Sequence, residues 1–119
     1  MAVDIIWKDK DILPVVTRQV SSAVPLSEVV LIEKSEGTVT IETVKERIVT
    51  RQSMKEIVKE LGGKDNLYVC HSYLIINFDY VRSMENGYIF FNCRRAEYLG
   101  EKNFAKARKK YNEYIGYTG

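Results

Sequence analysis

Cys70, His71 and Asn77 are the residues of this chain best placed to do chemistry. They lie within one apolar stretch, Cys70-His71-Ser72-Tyr73-Leu74-Ile75-Ile76-Asn77, which holds the only histidine and one of the two cysteines. Adjacent Cys and His suggest a nucleophile and its base. On a strand, however, neighbouring side chains point to opposite faces, so the imidazole would not reach the thiol. Zinc needs three or four ligands, and one His with two Cys separated by 22 residues does not match finger-type spacing. The chain contains no GxxxxGK[ST], GxGxxG or HExxH. Gly62-Gly63-Lys64 follows a helical pattern rather than opening one, so it is not a phosphate loop. Nothing here supports an enzyme, and no cofactor is implied. Cys70 and Cys93 could form a redox pair, but free cysteines are commonly buried as small hydrophobes.

The polar groups at both ends of this stretch suggest a core strand. Its start would reach a functional surface and its end would enter a turn. The elements around it read mostly as β. Val3 to Trp7 is short and apolar, and Ile12 to Val16 contains Pro14, which suits an edge strand. Glu28 to Lys34 is a strong strand candidate, followed by a turn over Lys34-Ser35-Glu36-Gly37. Thr38 to Thr43 alternates with period two, placing Val39 and Ile41 on one face, and Arg47 to Thr50 can pair back. Ser53-Met54-Lys55-Glu56 is a capping box, and Met54, Ile57, Val58 and Leu61 follow at helical spacing. Gly62-Gly63 can end that helix. Leu67 to Ile76 reads as one strand region. Tyr80 to Met84 and Tyr88 to Asn92 flank an Asn86-Gly87 hairpin signal, and Ala96 to Leu99 could add a strand. From Glu101 to Tyr114 the helical period returns, with Phe104, Ala107, Tyr111 and Tyr114 on one stripe, and the tail from Gly116 should fray.

The 119 residues make one domain, without a run of about 18 apolar residues to span a membrane and without a secretory signal. Two cysteines make no disulfide scaffold, so a reducing cytoplasm is the expected compartment. The net charge of +2 hides an asymmetry. Residues 1–93 hold 11 Lys+Arg against 13 acids; residues 94–119 hold 7 against 3. A basic end suggests a polyanionic partner, although a solvated helix face would look the same.

Leu26 to Lys109, about 70 % of the chain, resembles the LytTR family of DNA-binding domains of bacterial response regulators. Glu28 to Glu33 resembles its opening strand, and Thr50 to Leu61 its threonine and short helix. Tyr68 to Asn77 resembles the signature strand, in which His and Asn stand six apart. The Asn86-Gly87 hairpin and Tyr98-Leu99-Gly100-Glu101-Lys102-Asn103-Phe104, before a last helix, also fit. The resemblance implies a mainly β, elongated domain of small antiparallel sheets with a short central helix and a C-terminal helix. Residues 26–119 would form it, and residues 1–25 an extension packed on or flanking it.

The resemblance further implies sequence-specific binding of double-stranded DNA. Loops on one face would enter successive major grooves at paired direct repeats, with a homodimer on DNA. Carried over by position, the contacts are Lys34, Ser35 and Thr38 in the first turn; His71, Ser72 and Tyr73 at the signature; and Tyr98, Lys102 and Asn103 in the loop entering the last helix. Lys106 adds a phosphate contact from that helix. The chemistry suits these roles. Lys102 can reach guanine or phosphate, and hydroxyl and amide groups bond phosphate oxygens. Asn77 reads as structural, bonding backbone at a turn.

Some positions depart from the family pattern. Ser72 precedes Tyr73 where a basic or amide residue and then Ser are usual. Gly100-Glu101-Lys102 replaces a Ser before the helix, and Glu36 lies in the first turn. Cys70 matches a redox-active position whose partner falls near Glu97. No receiver domain fits in residues 1–25, so the chain is a stand-alone regulator or an excised domain, and Met1 favours the first. A regulatory protein partner could control it. The departures motivate an alternative: an interaction module of the same fold that pairs with a regulator and binds DNA weakly or not at all. Single-stranded nucleic acid stacked on Tyr68, Tyr73, Tyr88 and Tyr98 is a third option.

Overall fold

A computed structural model describes residues 12–61 and 63–117. The Val3 to Trp7 stretch, Gly62 and residues 118 and 119 lie outside the described residues.

The order is β1 (Ile12–Val16), β2 (Ser21–Pro25), a 3-10 turn (Leu26–Glu28), β3 (Val29–Ser35), β4 (Thr38–Thr43), β5 (Arg47–Thr50), α1 (Met54–Leu61), β6 (Leu67–His71), β7 (Leu74–Asn77), a second 3-10 turn (Phe78–Tyr80), β8 (Val81–Glu85), β9 (Tyr88–Phe91), β10 (Ala96–Tyr98) and α2 (Glu101–Tyr114). Three antiparallel sheets result: β1-β2, β5-β4-β3-β7-β6 and β10-β9-β8. The molecule is elongated, 47 × 34 × 24 Å.

The five-stranded sheet is buried on both faces, which explains its near-continuous apolar runs. Ile32, Ile41, Val39 and Ile75 pack on one side with Leu13, Val15 and Val24 of the β1–β2 hairpin and with Met54, Ile57 and Leu61 of α1. Leu31, Leu74, Ile76 and Cys70 face the other side, against Ile89 and Phe91 of the three-stranded sheet and Ala107 of α2. Along β7 the side alternates residue by residue, so all four residues are buried.

The capping box closes as expected. Glu56 N–H donates to Ser53 Oγ at 3.2 Å, and Ser53 N–H to Glu56 Oε1 at 3.4 Å. Val58 is the exception on that helix and is exposed, so the buried stripe is Met54, Ile57 and Leu61. Pro14 sits in β1 of a two-stranded sheet, where every strand is an edge.

Two expectations are corrected. The Leu67 to Ile76 region is not one strand but a hairpin, β6 and β7, joined by the two-residue turn Ser72-Tyr73 with His71 paired to Leu74. Neither turn residue has positive φ, so no glycine or Asn-Gly marks it in sequence. Gly116 does not begin a frayed tail. At φ +88 it ends α2, and its N–H donates to Glu113 O at 3.1 Å while Tyr117 N–H donates to Asn112 O at 2.8 Å.

Candidate nucleic-acid interface

The β3–β4 hairpin turns through Glu36 (φ +52) and Gly37 (φ +78), and its ladder runs out to Ser35 opposite Thr38. Two consecutive left-handed residues make the tight primed turn that suits a twisted hairpin. Lys34, Ser35, Glu36 and Thr38 are all exposed at this tip.

Beside it lies the β6–β7 tip. The Lys34 N–H donates to the Tyr73 carbonyl at 2.9 Å, so the two tips are joined edge to edge. His71 Nδ1 accepts from the Tyr73 N–H at 3.1 Å. That bond satisfies a donor the turn leaves free and holds the ring against Tyr73, with centroids 6.2 Å apart. Ser72 and Tyr73 are exposed, and His71 is half-buried.

The third segment is the loop from β10 into α2. Tyr98 is 63 % exposed and stands against Tyr88 with ring centroids 4.9 Å apart. It also lies over Gly87, where an added Cβ would come within 2.9 Å of Tyr98 Cε1. Leu99 N–H donates to Gly87 O at 2.9 Å, so the Asn86-Gly87 turn carries this loop. Gly100 (φ +79, ψ 160) precedes α2 without a side-chain cap, leaving first-turn N–H groups free near exposed Lys102 and half-buried Asn103. Lys106 is exposed one turn further on. The opposite end of α2 is fixed by Tyr114, which packs on Phe78 and bonds Asp79 just beyond the far end of β7.

A polar cluster ties the third segment to the first two. Glu33, next to Lys34, and Glu97, next to Tyr98, meet at Arg95, whose Nη2 lies against Oε1 of both. Arg95 bonds Glu33, reaches Glu42 Oε1 at 3.0 Å and Glu97 Oε1 at 3.6 Å, and Arg47 approaches Glu33 at 3.4 Å. Burial, then the hydrogen bond and charge of Glu33, push the Glu97 carboxyl up to about 7 against the pull of Arg95. Burial also works to raise Glu33, but hydrogen bonds from Arg95 and Glu97 and the charges of Arg95 and Arg47 win and lower it. Cys70 is within reach of the Glu97 charge; burial first, and that charge second, push its thiol up to about 12.

All ten sequence-predicted contact residues are thus described, and hydrogen bonds link the segments that carry them. The structure adds what the sequence did not offer: the Glu33–Arg95–Glu97 cluster and the Gly87 platform under Tyr98. Arg95, counted with the basic end, is spent on three carboxylates. Tyr68 stacks on Phe78 at 5.5 Å within the core cluster, which removes it as an open platform for bases. Among the described residues no group of three or more His, Cys, Asp or Glu could hold a metal ion, and no helix is long and apolar enough to cross a membrane.

The family model of the LytTr DNA-binding domain matches residues 20–112. The chain belongs to the LytTR family. Its role is therefore DNA binding in transcription regulation. The LytTr DNA-binding domain of a Bacillus cereus protein described as a methyl-accepting/DNA response regulator has the same fold: TM-score 0.70 at 17 % identity, covering 85 % of this chain and 96 % of that one. No curated protein matches the chain. The LytTR match begins after β1 and ends within α2, so it contains all three candidate contact segments.

Proposed function

We propose that this LytTR domain reads double-stranded DNA sequence-specifically as a bacterial, cytoplasmic transcription regulator, from the face that carries the Lys34–Thr38 tip, the His71–Tyr73 tip and the Tyr98–Asn103 loop. The Lys34–Tyr73 backbone bond is the observation that supports this most. It makes two exposed hairpin tips one projecting edge, and a two-stranded ribbon fits the major groove, about 12 Å wide. Lys34 and Lys102 supply cations for guanine or phosphate. Ser35, Thr38, Ser72, Tyr73, Tyr98 and Asn103 supply groups that fix register on phosphates. Lys106 adds a phosphate contact on the exposed basic face of α2. Two copies on paired direct repeats complete the reading.

The alternative, an interaction module that pairs with a regulatory protein, draws on Glu36 and Glu101 at the exposed tips and on the loss of Arg95 from the positive surface. Selection from a random duplex library, with the enriched duplex then titrated at two salt concentrations, separates the two. A repeated motif whose affinity falls steeply with salt is the expected result, the slope counting the phosphates neutralised. No enrichment, with binding only at low salt, would favour the interaction module.

A further inference from the structure

The cluster under the proposed interface joins two sheets at the point where all three contact segments leave them. Glu33 is paired with Leu74 in β7 and precedes Lys34; Glu97 precedes Tyr98. Arg95, just before β10, and Glu97 on β10 reach back to Glu33 on β3 and Glu42 on β4. Both carboxylic partners are largely buried, with side-chain exposures of 17 % for Glu33 and 22 % for Glu97. Arg95 Nη2 lies against Oε1 of both, so the two carboxyl groups stand close enough for charge on one to disfavour charge on the other.

We propose that Glu97 is a positioning residue for DNA recognition: gathered with Glu33 and Glu42 around Arg95, its uncharged carboxyl keeps the Tyr98–Asn103 loop in register with the Lys34 and Ser72-Tyr73 tips. The inference rests on the DNA-reading face proposed above. When Glu97 ionises, Glu33, Glu42 and Glu97 face Arg95, with Arg47 the one other cation paired to them among the described residues. The Cys70 thiol, on β6, stays neutral and offers no charge. Glu97 then repels Glu33, and β10 moves from β3, taking Tyr98 and the start of α2 with it. Burial and Glu33 bring this ionisation to about pH 7. Raising the pH through neutrality thus weakens DNA binding without touching a DNA contact.

The test uses the whole chain and the duplex enriched by selection, with affinity measured from about pH 6 to about pH 8 at fixed salt. Wild type should lose affinity about fivefold or more across that range. Glu97→Gln, which keeps a donor to Glu33 and cannot ionise, should lose less affinity over that range than wild type, by about that same fivefold or more. Any contribution from the imidazole of His71 is common to both proteins and cancels in the comparison. Glu33→Gln provides the second variant should Glu97→Gln fold poorly. It removes the charge that repels ionised Glu97, so its affinity should change with pH no more than that of Glu97→Gln. Parallel profiles for wild type and Glu97→Gln, or a loss of affinity with pH in Glu33→Gln as large as in wild type, would overturn the inference while leaving DNA reading intact. Absence of specific DNA binding at every pH would remove both.

Discussion

The Lys34 N–H donates to the Tyr73 carbonyl at 2.9 Å, and this one backbone bond fastens the tips of two hairpins that belong to different segments of the chain. It extends the β3–β7 ladder past its last paired residues, Glu33 and Leu74. A side chain on either tip is therefore positioned by both. Docking such an edge orders little that is not already ordered, which lowers the entropic cost of binding.

His71 should matter twice, once as a ring and once as a turn acceptor. His71→Ala removes the acceptor of the Tyr73 N–H, a loss of about 0.5–1.5 kcal/mol at most because water can reach the exposed turn. DNA affinity should fall further, about tenfold or more, if the ring also meets a base or phosphate. His71→Asn can return a carbonyl to the amide two residues on, as Asx turns do. Denaturant unfolding should show Asn recovering the stability that Ala loses, while DNA titration shows it recovering only part of the affinity. Equal stabilities for the two variants would mean that the ring nitrogen does not hold the turn.

Gly87 should resist any side chain. Its φ of +86 costs an L residue roughly 1–2 kcal/mol. A Cβ would also press on Tyr98 Cε1 from 2.9 Å. Gly87→Ala should then destabilise the domain by about 2 kcal/mol. In the Tyr98→Ala background the steric part disappears and only the φ part remains, so the two changes should be non-additive in a double-mutant cycle. Additive losses would show that Tyr98 does not rest on Gly87.

What was legible in the sequence was local. Ser53 and Glu56 announced α1 because both halves of a capping box lie within one turn. Asn86-Gly87 announced its hairpin because both residues tolerate positive φ. The His71-to-Asn77 spacing, with its apolar interior, pointed to the family. The Ser72-Tyr73 turn was illegible, since it needs no special φ and its support comes from the ring of His71 and from Lys34. Arg95 was misread for a related reason. Its partners Glu33 and Glu42 are 62 and 53 residues away, and no local pattern separates an arginine bound for a carboxylate cluster from one bound for solvent. The Tyr98 contact to Gly87 depends on the β9–β10 register, which only the assembled sheet supplies.

The two cysteines should react very differently. Cys70 is buried with its thiol pushed up to about 12, whereas Cys93 is exposed. The thiolate is the nucleophile, so burial and a high pKa both protect Cys70. Iodoacetamide at about pH 8 should add once to the folded protein, at Cys93, and twice in denaturant, as read by mass spectrometry. Rapid modification of Cys70 in the folded protein would contradict its placement and reopen a redox role for it.

Asn77 should prove structural, with a pH signature of its own. It is fully buried; its Nδ2 donates to Val29 O at 2.8 Å, and its Oδ1 accepts from Asp79 N–H at 2.9 Å and Asn66 Nδ2 at 3.2 Å. Asn77→Ala leaves these partners unmatched in the interior and should cost about 2–4 kcal/mol. Asn77→Asp is the sharper test. An ionised carboxylate there would set an oxygen against the Val29 carbonyl, while a protonated one can donate to it. The folded protein should therefore hold that proton more tightly than the unfolded chain, raising the carboxyl pKa. Stability is then best below the unfolded pKa, near 3.9, falls as pH rises, and levels off once the folded pKa is passed. The total fall is about 1.4 kcal/mol for every tenfold by which folding tightens the hold on the proton. Unfolding free energies of Asn77→Asp and wild type, compared between about pH 4 and pH 8, should diverge as pH rises. A constant difference would mean that the side chain at this position does not donate to Val29.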